Sequence, residues 1–179
     1  HVRVKITNTS TSEAIEELKS GMIDLAIGTT PTQVEKPLKE VKLKQFQDIL
    51  VAGSKFSSLA NNRVHLHELT KIPLISLTKS SKSYQFFFEL YQKYKLTMNT
   101  QFEVTTSDLI LPMVELNMGM GFISEEFAAP FIAKGSILRI NLAERIPPRY
   151  ICMIQDTQHP QSIASRELQK LILKNASIS

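Results

Sequence analysis

The feature that most constrains the fold of this chain is the alternation of short apolar stretches with amphipathic helical stretches. Strand-like runs, apolar or alternating with a period of two, fall at residues 2–7, 23–28, 41–46, 48–52, 72–78, 102–105, 120–124, 137–142 and 149–155. Apolar residues at helical spacing follow Ser10 and recur at residues 64–69, 83–94, 108–117 and 162–174. Strands that alternate with helices predict an α/β fold built on parallel sheets.

Two local patterns support particular helices. Ser10 and Glu13 have the spacing of a capping box, and Gly21 is a natural stop for the helix that this box begins. Further along, Phe87 and its neighbours form one apolar stripe at positions i, i+3, i+4 and i+7: Tyr84, Phe87, Phe88 and Tyr91. Aromatic side chains can stack on nucleic-acid bases, but this spacing favours a helix face packed on a sheet.

Composition restricts the class of protein. The 179 residues correspond to about one to one and a half average domains, and no apolar run approaches the roughly 18 residues that a membrane span needs. The single cysteine, Cys152, excludes an internal disulfide and fits a reducing compartment. The net charge of +4 permits an anionic partner without requiring one. Because the chain begins at His1 with neither a methionine nor a signal stretch, we expect it to be part of a longer protein.

Metal and cofactor motifs are weak in this sequence. His65 and His67 are two residues apart, which on a helix would direct them to different sides, and Cys152 and His159 lack a second ligand at useful spacing. We therefore expect no metal site and no cofactor. The sequence has no nucleophile elbow, no Walker loop and no dinucleotide fingerprint. The lysines of residues 36–44 alternate with acidic residues, which is typical of a solvated face.

Hydroxyl-rich sequence follows three predicted strands. These clusters are Thr29 and Thr30, residues 78–83 with Lys79 and Lys82, and residues 105–107. In open α/β sheets, ligands bind beyond the carboxyl ends of the strands, where hydroxyl groups and helix amides can bind anions or carboxylates. The clusters therefore outline one small-molecule pocket. Each cluster also fits a simple helix N-cap, and the pattern alone leaves both interpretations open.

Three segments resemble one known family. Residues 17–27 read ELKSGMIDLAI, residues 66–75 read LHELTKIPLI, and residues 114–123 read VELNMGMGFI. In this order and spacing they resemble the effector-binding domain of LysR-type transcriptional regulators, and the resemblance covers the whole chain. Tyr84, where many members carry arginine, and Pro112, inside a predicted helix, depart from the family pattern. With proline at position 112, that helix must start late or kink.

The resemblance implies an α/β fold of two Rossmann-like subdomains joined by two crossover strands, similar to periplasmic binding proteins of type 2. Residues 1–75 plus 149–179 would form regulatory subdomain I, and residues 76–148 regulatory subdomain II. Family domains begin one strand and one helix earlier, so subdomain I would lack that unit. The effector would lie in the cleft between the subdomains, and its binding would shift the balance between two arrangements of them.

Carried over by position, the effector contacts fall on the three hydroxyl clusters: Thr29, Thr30, Thr78, Ser81, Lys82, Thr106 and Ser107. We expect a small and anionic effector, since lysines flank the middle cluster. The resemblance also implies a cytoplasmic homodimer or homotetramer that does not bind membranes and contacts DNA through an N-terminal winged helix-turn-helix outside this chain.

Two other functions remain open. One is a transport-type solute-binding protein of the same fold, and the other is an enzyme on that fold. An enzyme would need a convergent set of acid, base or nucleophile. Near the proposed cleft we find only Asp108, Glu125 and Glu126, and expect no catalytic residue.

Overall fold

The computed structural model describes residues 3–60, 62–158 and 161–176. Its α-helices are α1 (Thr11–Lys19), α2 (Lys82–Lys93), α3 (Ile110–Glu115), α4 (Glu125–Ala133) and α5 (Ile163–Ala176). Its strands are β1 (Ala26–Thr29), β2 (Leu38–Phe46), β3 (Asp48–Gly53), β4 (Leu74–Leu77), β5 (Thr100–Val104), β6 (Met120–Ser124), β7 (Ile137–Arg139) and β8 (Arg149–Asp156). None of the helices in the described ranges is both long and apolar enough to cross a membrane.

The chain folds into two compact units. Unit 1 comprises His1–Gln45 and Arg149–Ser179, and unit 2 comprises Phe46–Pro148. The family resemblance implies a first boundary near residue 75, whereas the first segment of unit 1 ends at Gln45. Residues 46–75 group with unit 2 because β3 pairs with β6 and β7, which belong to that unit.

Unit 1 contains a three-stranded sheet in the order β1-β8-β2, covered by α1. Its core contains Ala14, Ile15 and Leu18 from α1, packed with Ala26 and Ile154 of the sheet. The predicted capping box is confirmed, since the Glu13 amide donates to Ser10 Oγ at 3.2 Å and the Ser10 amide donates to the Glu13 carboxylate at 3.1 Å. Hydrogen bonds from Thr9 and Ser10 hold the pKa of Glu13 below its ordinary value.

Unit 2 contains a five-stranded mixed sheet in the order β5-β4-β6-β3-β7. Strand β4 runs parallel to both β5 and β6, whereas β3 runs antiparallel to β6 and β7. The expectation of parallel strands is therefore correct for β5, β4 and β6. It is wrong for β3 and β7 of the same sheet, and wrong for β1 of unit 1, which pairs antiparallel with β8.

The two faces of this sheet carry separate cores. Two residues of β3, Leu50 and Ala52, belong to the same core cluster as Phe87 of α2. The alternate residues Ile49 and Val51 belong to the cluster that contains Val114 of α3. Alternate residues of a strand face opposite sides of a sheet, so α2 and α3 cover opposite faces. The predicted aromatic stripe is confirmed as a packing face for Tyr84, Phe87 and Tyr91, and Phe87 stacks on Phe122 with ring centroids 4.2 Å apart. It is wrong for Phe88, which is 40% exposed.

Several sequence predictions need correction. Residues 3–10 form no strand, and Val4 and Ile6 are 61% and 90% exposed, because alternation by itself does not supply a neighbouring strand to pair with. Helix α4 was not predicted, and the expected helix at 64–69 is only a 3-10 helix, Leu66–Leu69. The helix with Pro112 does start late, at Ile110, which places the proline in the first turn, where its missing N–H removes no intrahelical bond.

Candidate functional site

The carboxyl ends of β4 and β5 lie side by side in unit 2. Leu77 is the register partner of Val104 in this parallel pair, and the Thr78 amide donates to the Val104 carbonyl at 3.1 Å. Adjacent strands lie about 4.8 Å apart. The structure therefore brings together two of the three predicted clusters, the one that begins at Thr78 and the one that follows Val104.

This edge of the sheet is a topological switch point. The chain leaves β4 into α2 on one face and leaves β5 through a 3-10 helix (Ser107–Leu109) into α3 on the other face. Where connections from adjacent strands diverge in this way, a crevice opens beyond the strand ends, and ligands of α/β proteins bind there. The predicted residues of unit 2 thus lie where the fold favours ligand binding.

Ser81 and Lys82 begin α2 at this edge. Ser81 Oγ accepts a hydrogen bond from the Tyr84 amide at 3.0 Å, and Ser81 is buried. The simple N-cap interpretation is therefore correct for Ser81. Lys82, the first residue of the helix, is half-buried, and Lys79 in the preceding loop is exposed. The Thr78 and Ser80 hydroxyl groups lie 3.3 Å apart within the same loop.

Thr106 differs from Ser81 although both precede a helical segment. Thr106 stands at the N-cap of the 3-10 helix, yet its side chain makes no capping hydrogen bond. It is half-buried, whereas Ser107 and Asp108 are exposed. A cap role therefore does not account for the Thr106 hydroxyl, which remains suited to a ligand contact.

The third predicted cluster lies in unit 1 and holds a buried arginine. Arg149 is 3% exposed and donates from Nη2 to Thr29 Oγ1 at 2.8 Å and from Nε to the Thr30 carbonyl at 2.6 Å. The Tyr150 amide donates to Thr30 Oγ1 at 2.9 Å. Sequence reasoning missed Arg149; the available signal was a charged residue at the start of an otherwise apolar strand, directly after two prolines.

Ser124 is a further hydroxyl-bearing residue at a strand end, and none of the three predicted clusters includes it. It ends β6, which runs parallel to β4, so it lies at the same edge of the sheet as Thr78. It is the N-cap residue of α4, is half-buried, and makes no side-chain capping bond. The next residue, Glu125, pairs with Arg139. Since α4 itself was not predicted, nothing marked Ser124 as the start of a helix.

His65 and His67 do not point to different sides, contrary to the sequence analysis. His65 precedes the 3-10 helix in an extended conformation, and the two imidazole rings stack with centroids 5.4 Å apart. Helical spacing does not apply across the first residue of a helix. Together with Glu144, these histidines form a cluster whose ligand atoms all lie within 4.8 Å of one another, which is a geometry that a metal ion could use.

A surface pocket lies elsewhere in unit 1, lined by Lys36, Pro37, Leu38, Lys39, Thr157 and Gln158. None of the predicted effector-binding residues lines this pocket. Its position therefore does not support the carried-over contacts, which depend instead on the strand-end geometry described above.

Comparisons with known proteins give one consistent result. A family model described as the LysR substrate binding domain matches residues 1–177. A search of curated protein sequences found no match.

Solved structures of similar fold include regulatory domains. The CcmR regulatory domain of Synechocystis, in complex with 2-PG, has a TM-score of 0.80 at 13% identity, over 94% of this chain and 80% of that one. The effector binding domain of QuiR, in complex with shikimate, has a TM-score of 0.80 at 17% identity, over 94% and 78%. HinK, a LysR family transcriptional regulator from Pseudomonas aeruginosa, has a TM-score of 0.74 at 17% identity, over 98% and 61%.

Proposed function

This chain belongs to the LysR substrate-binding domain family, and on that premise we propose that its effector is a small anion bound at the carboxyl ends of β4 and β5. The observation that carries the proposal is the register of the parallel pair, Leu77 with Val104. It puts the hydroxyl groups that follow β4 and β5 at one switch point of the sheet.

The groups at this edge favour a negatively charged ligand. Lys79 and Lys82 supply positive charge, and the amino-terminal end of α2 adds the positive end of a helix dipole. Asp108 and the first two residues of α4, Glu125 and Glu126, carry negative charge near the same edge, and Glu125 is paired with Arg139. The proposed preference for an anion therefore depends on Lys79, Lys82 and the helix end. The ligands bound by the similar domains, 2-PG and shikimate, are both anionic.

We assign different tasks to the residues at this edge. Thr78, Lys82, Thr106 and Ser107 are the proposed effector contacts, and Ser81 contributes by fixing the start of α2. Thr29 and Thr30 belong to unit 1 and not to this edge, and the family resemblance alone supports them as proposed effector contacts. Their oxygens already accept hydrogen bonds from Arg149 and the Tyr150 amide, so each contributes its O–H as a donor.

Membership of the family also supports a proposal about the role of the whole protein. We propose that the domain senses its effector without catalysing a reaction, and that it works as part of a cytoplasmic regulator. That regulator would assemble as a homodimer or homotetramer and contact DNA through a winged helix-turn-helix. The supporting observation is the family match over residues 1–177.

The substitution Thr106→Val tests the site directly. Valine keeps the shape of threonine and removes the hydroxyl group, so we expect at least about a tenfold weaker affinity for the effector, the usual result of one lost ligand hydrogen bond. The ligand is the best binder from a panel of carboxylates and phosphates that includes 2-PG and shikimate, and the measurement is isothermal titration calorimetry.

Thr97→Val is the matched control, because Thr97 is an exposed threonine of the same unit outside the switch point. It should leave both affinity and stability unchanged. Thr106→Val should unfold at the same urea concentration as the parent chain, since Thr106 makes no capping bond. Equal affinities for the parent and both variants would contradict the proposed site.

A further inference from the structure

A cluster in unit 2, separate from the proposed effector site, has the composition of a metal centre. It consists of His65, His67 and Glu144. His65 Nδ1 lies 3.2 Å from Glu144 Oε1, and one nitrogen or oxygen of each residue lies within 4.8 Å of those of the other two. Both histidines are exposed, whereas the Glu144 side chain is only 7% exposed, so the group has a buried anchor and an open side.

Backbone structure holds these three residues together. Val64 pairs with Leu142 in an isolated bridge, and the Val64 amide donates to the Asn141 carbonyl at 2.9 Å. This bridge aligns the segment that contains both histidines with the segment that contains Glu144. The main chain therefore brings these residues close together even without the His65–Glu144 ion pair.

Surrounding hydrogen bonds orient the potential ligands. Glu144 Oε2 accepts from the Leu66 amide at 3.0 Å, which leaves Oε1 directed at His65. The His65 amide donates to the Glu68 carboxylate at 2.8 Å, which fixes the backbone of His65. Contacts of this kind, behind the ligand atoms, are what hold metal ligands in a binding arrangement.

The chemical types of the three ligand residues determine which metal ions the cluster could bind. Two imidazole nitrogens and one carboxylate oxygen suit divalent transition metals, Zn²⁺ above all, and not Ca²⁺ or Mg²⁺, which take oxygen ligands. With metal–ligand bonds of about 2.0–2.1 Å, the ligand atoms of a tetrahedral site lie roughly 3.3 Å apart. The His65–Glu144 pair already has that separation, and rotation of the exposed His67 ring would complete the set.

We propose that His65, His67 and Glu144 bind a divalent transition-metal ion, with Zn²⁺ as the best match and the fourth position open to water. A bound ion would join two chain segments that are nearly eighty residues apart and so stabilise unit 2.

Calorimetric titration of the intact chain with Zn²⁺ in a non-chelating buffer tests the proposal. His67→Ala should weaken Zn²⁺ binding at least about tenfold, since loss of a direct ligand costs at least as much as loss of a supporting contact. Glu144→Gln should weaken it as well while keeping an oxygen for the Leu66 amide. Zn²⁺ should raise the melting temperature of the parent chain and not that of His67→Ala.

Two variants serve as controls. His1→Ala and His159→Ala replace the two other histidines of the sequence, and both variants should bind Zn²⁺ like the parent chain. Co²⁺ gives a second readout, because a tetrahedral site produces a visible d–d absorption that His67→Ala should abolish. Absence of Zn²⁺ binding, or binding that survives in His67→Ala and disappears in His159→Ala, would overturn the proposal. Neither result would affect the proposed effector site.

Discussion

Cys152 shows how a single residue's surroundings decide its chemistry. It lies in β8 with 0% exposure, opposite Gly28 of β1. Burial, and secondarily the charge and hydrogen bonding of Glu40, raise the pKa of the Cys152 thiol to about 12. The thiolate is the reactive form of cysteine, so this thiol is poorly suited to redox sensing.

Cys152 should therefore react slowly with thiol reagents. At pH 8, we expect alkylation of the folded chain to be at least about 100-fold slower than that of the chain in urea, because an unperturbed thiol has a pKa of about 8.5. Mass spectrometry of the modified protein over time measures both rates. Similar rates in the two conditions would show that Cys152 is accessible and ionised in the folded chain.

Individual site residues differ in how far the sequence could predict them. The sequence placed hydroxyl groups after the strands but did not distinguish Ser81, which caps α2, from Thr106, which makes no cap. That difference depends on local backbone geometry, which residue type does not encode. Arg149 and the pair of His65 with Glu144 depend on contacts between segments far apart in the sequence.

At the scale of elements, the confirmed predictions concern helices whose formation depends mainly on residues close to one another in the sequence. The aromatic spacing predicted α2, and the box of Ser10 and Glu13 predicted α1. The strand predicted at residues 2–7 is wrong for its described part, residues 3–7, because strand formation requires a partner strand, which alternation alone cannot supply. Helix α4, with Pro130 inside it, carried no comparable signal.

The capping bond of α2 leads to a stability prediction. Ser81→Ala removes the acceptor of the Tyr84 amide, so we expect the free energy of unfolding to fall by about 1 kcal/mol. Ser57→Ala, at an exposed serine of the same unit, should change it by less than about 0.5 kcal/mol. Urea denaturation followed by circular dichroism compares the two variants, and equal losses would argue against a capping role for Ser81.

At the scale of the molecule, the order of strands and helices indicated an α/β fold, and the family model and similar structures confirm it. The direction of β3 and β7 and the boundary near Gln45 did not follow from that order. Both depend on which distant strands pair with β3. Packing on the two faces of the sheet determines that pairing. The switch point at β4 and β5 followed once the strand order was known.

The central claim is that this domain binds a small anion, and a thermal-shift panel of charged and neutral pairs tests it most directly. The panel should contain carboxylates and phosphates, among them 2-PG and shikimate, each beside a neutral ester of the same skeleton, together with cationic metabolites. We predict that at least one anion, at about a hundredfold its Kd, stabilises the chain by about 2.7 kcal/mol, equivalent to a rise in Tm of about 5–10 °C. Its neutral ester should have little effect. Stabilisation by neutral or cationic compounds, with none by any anion, would contradict the claim.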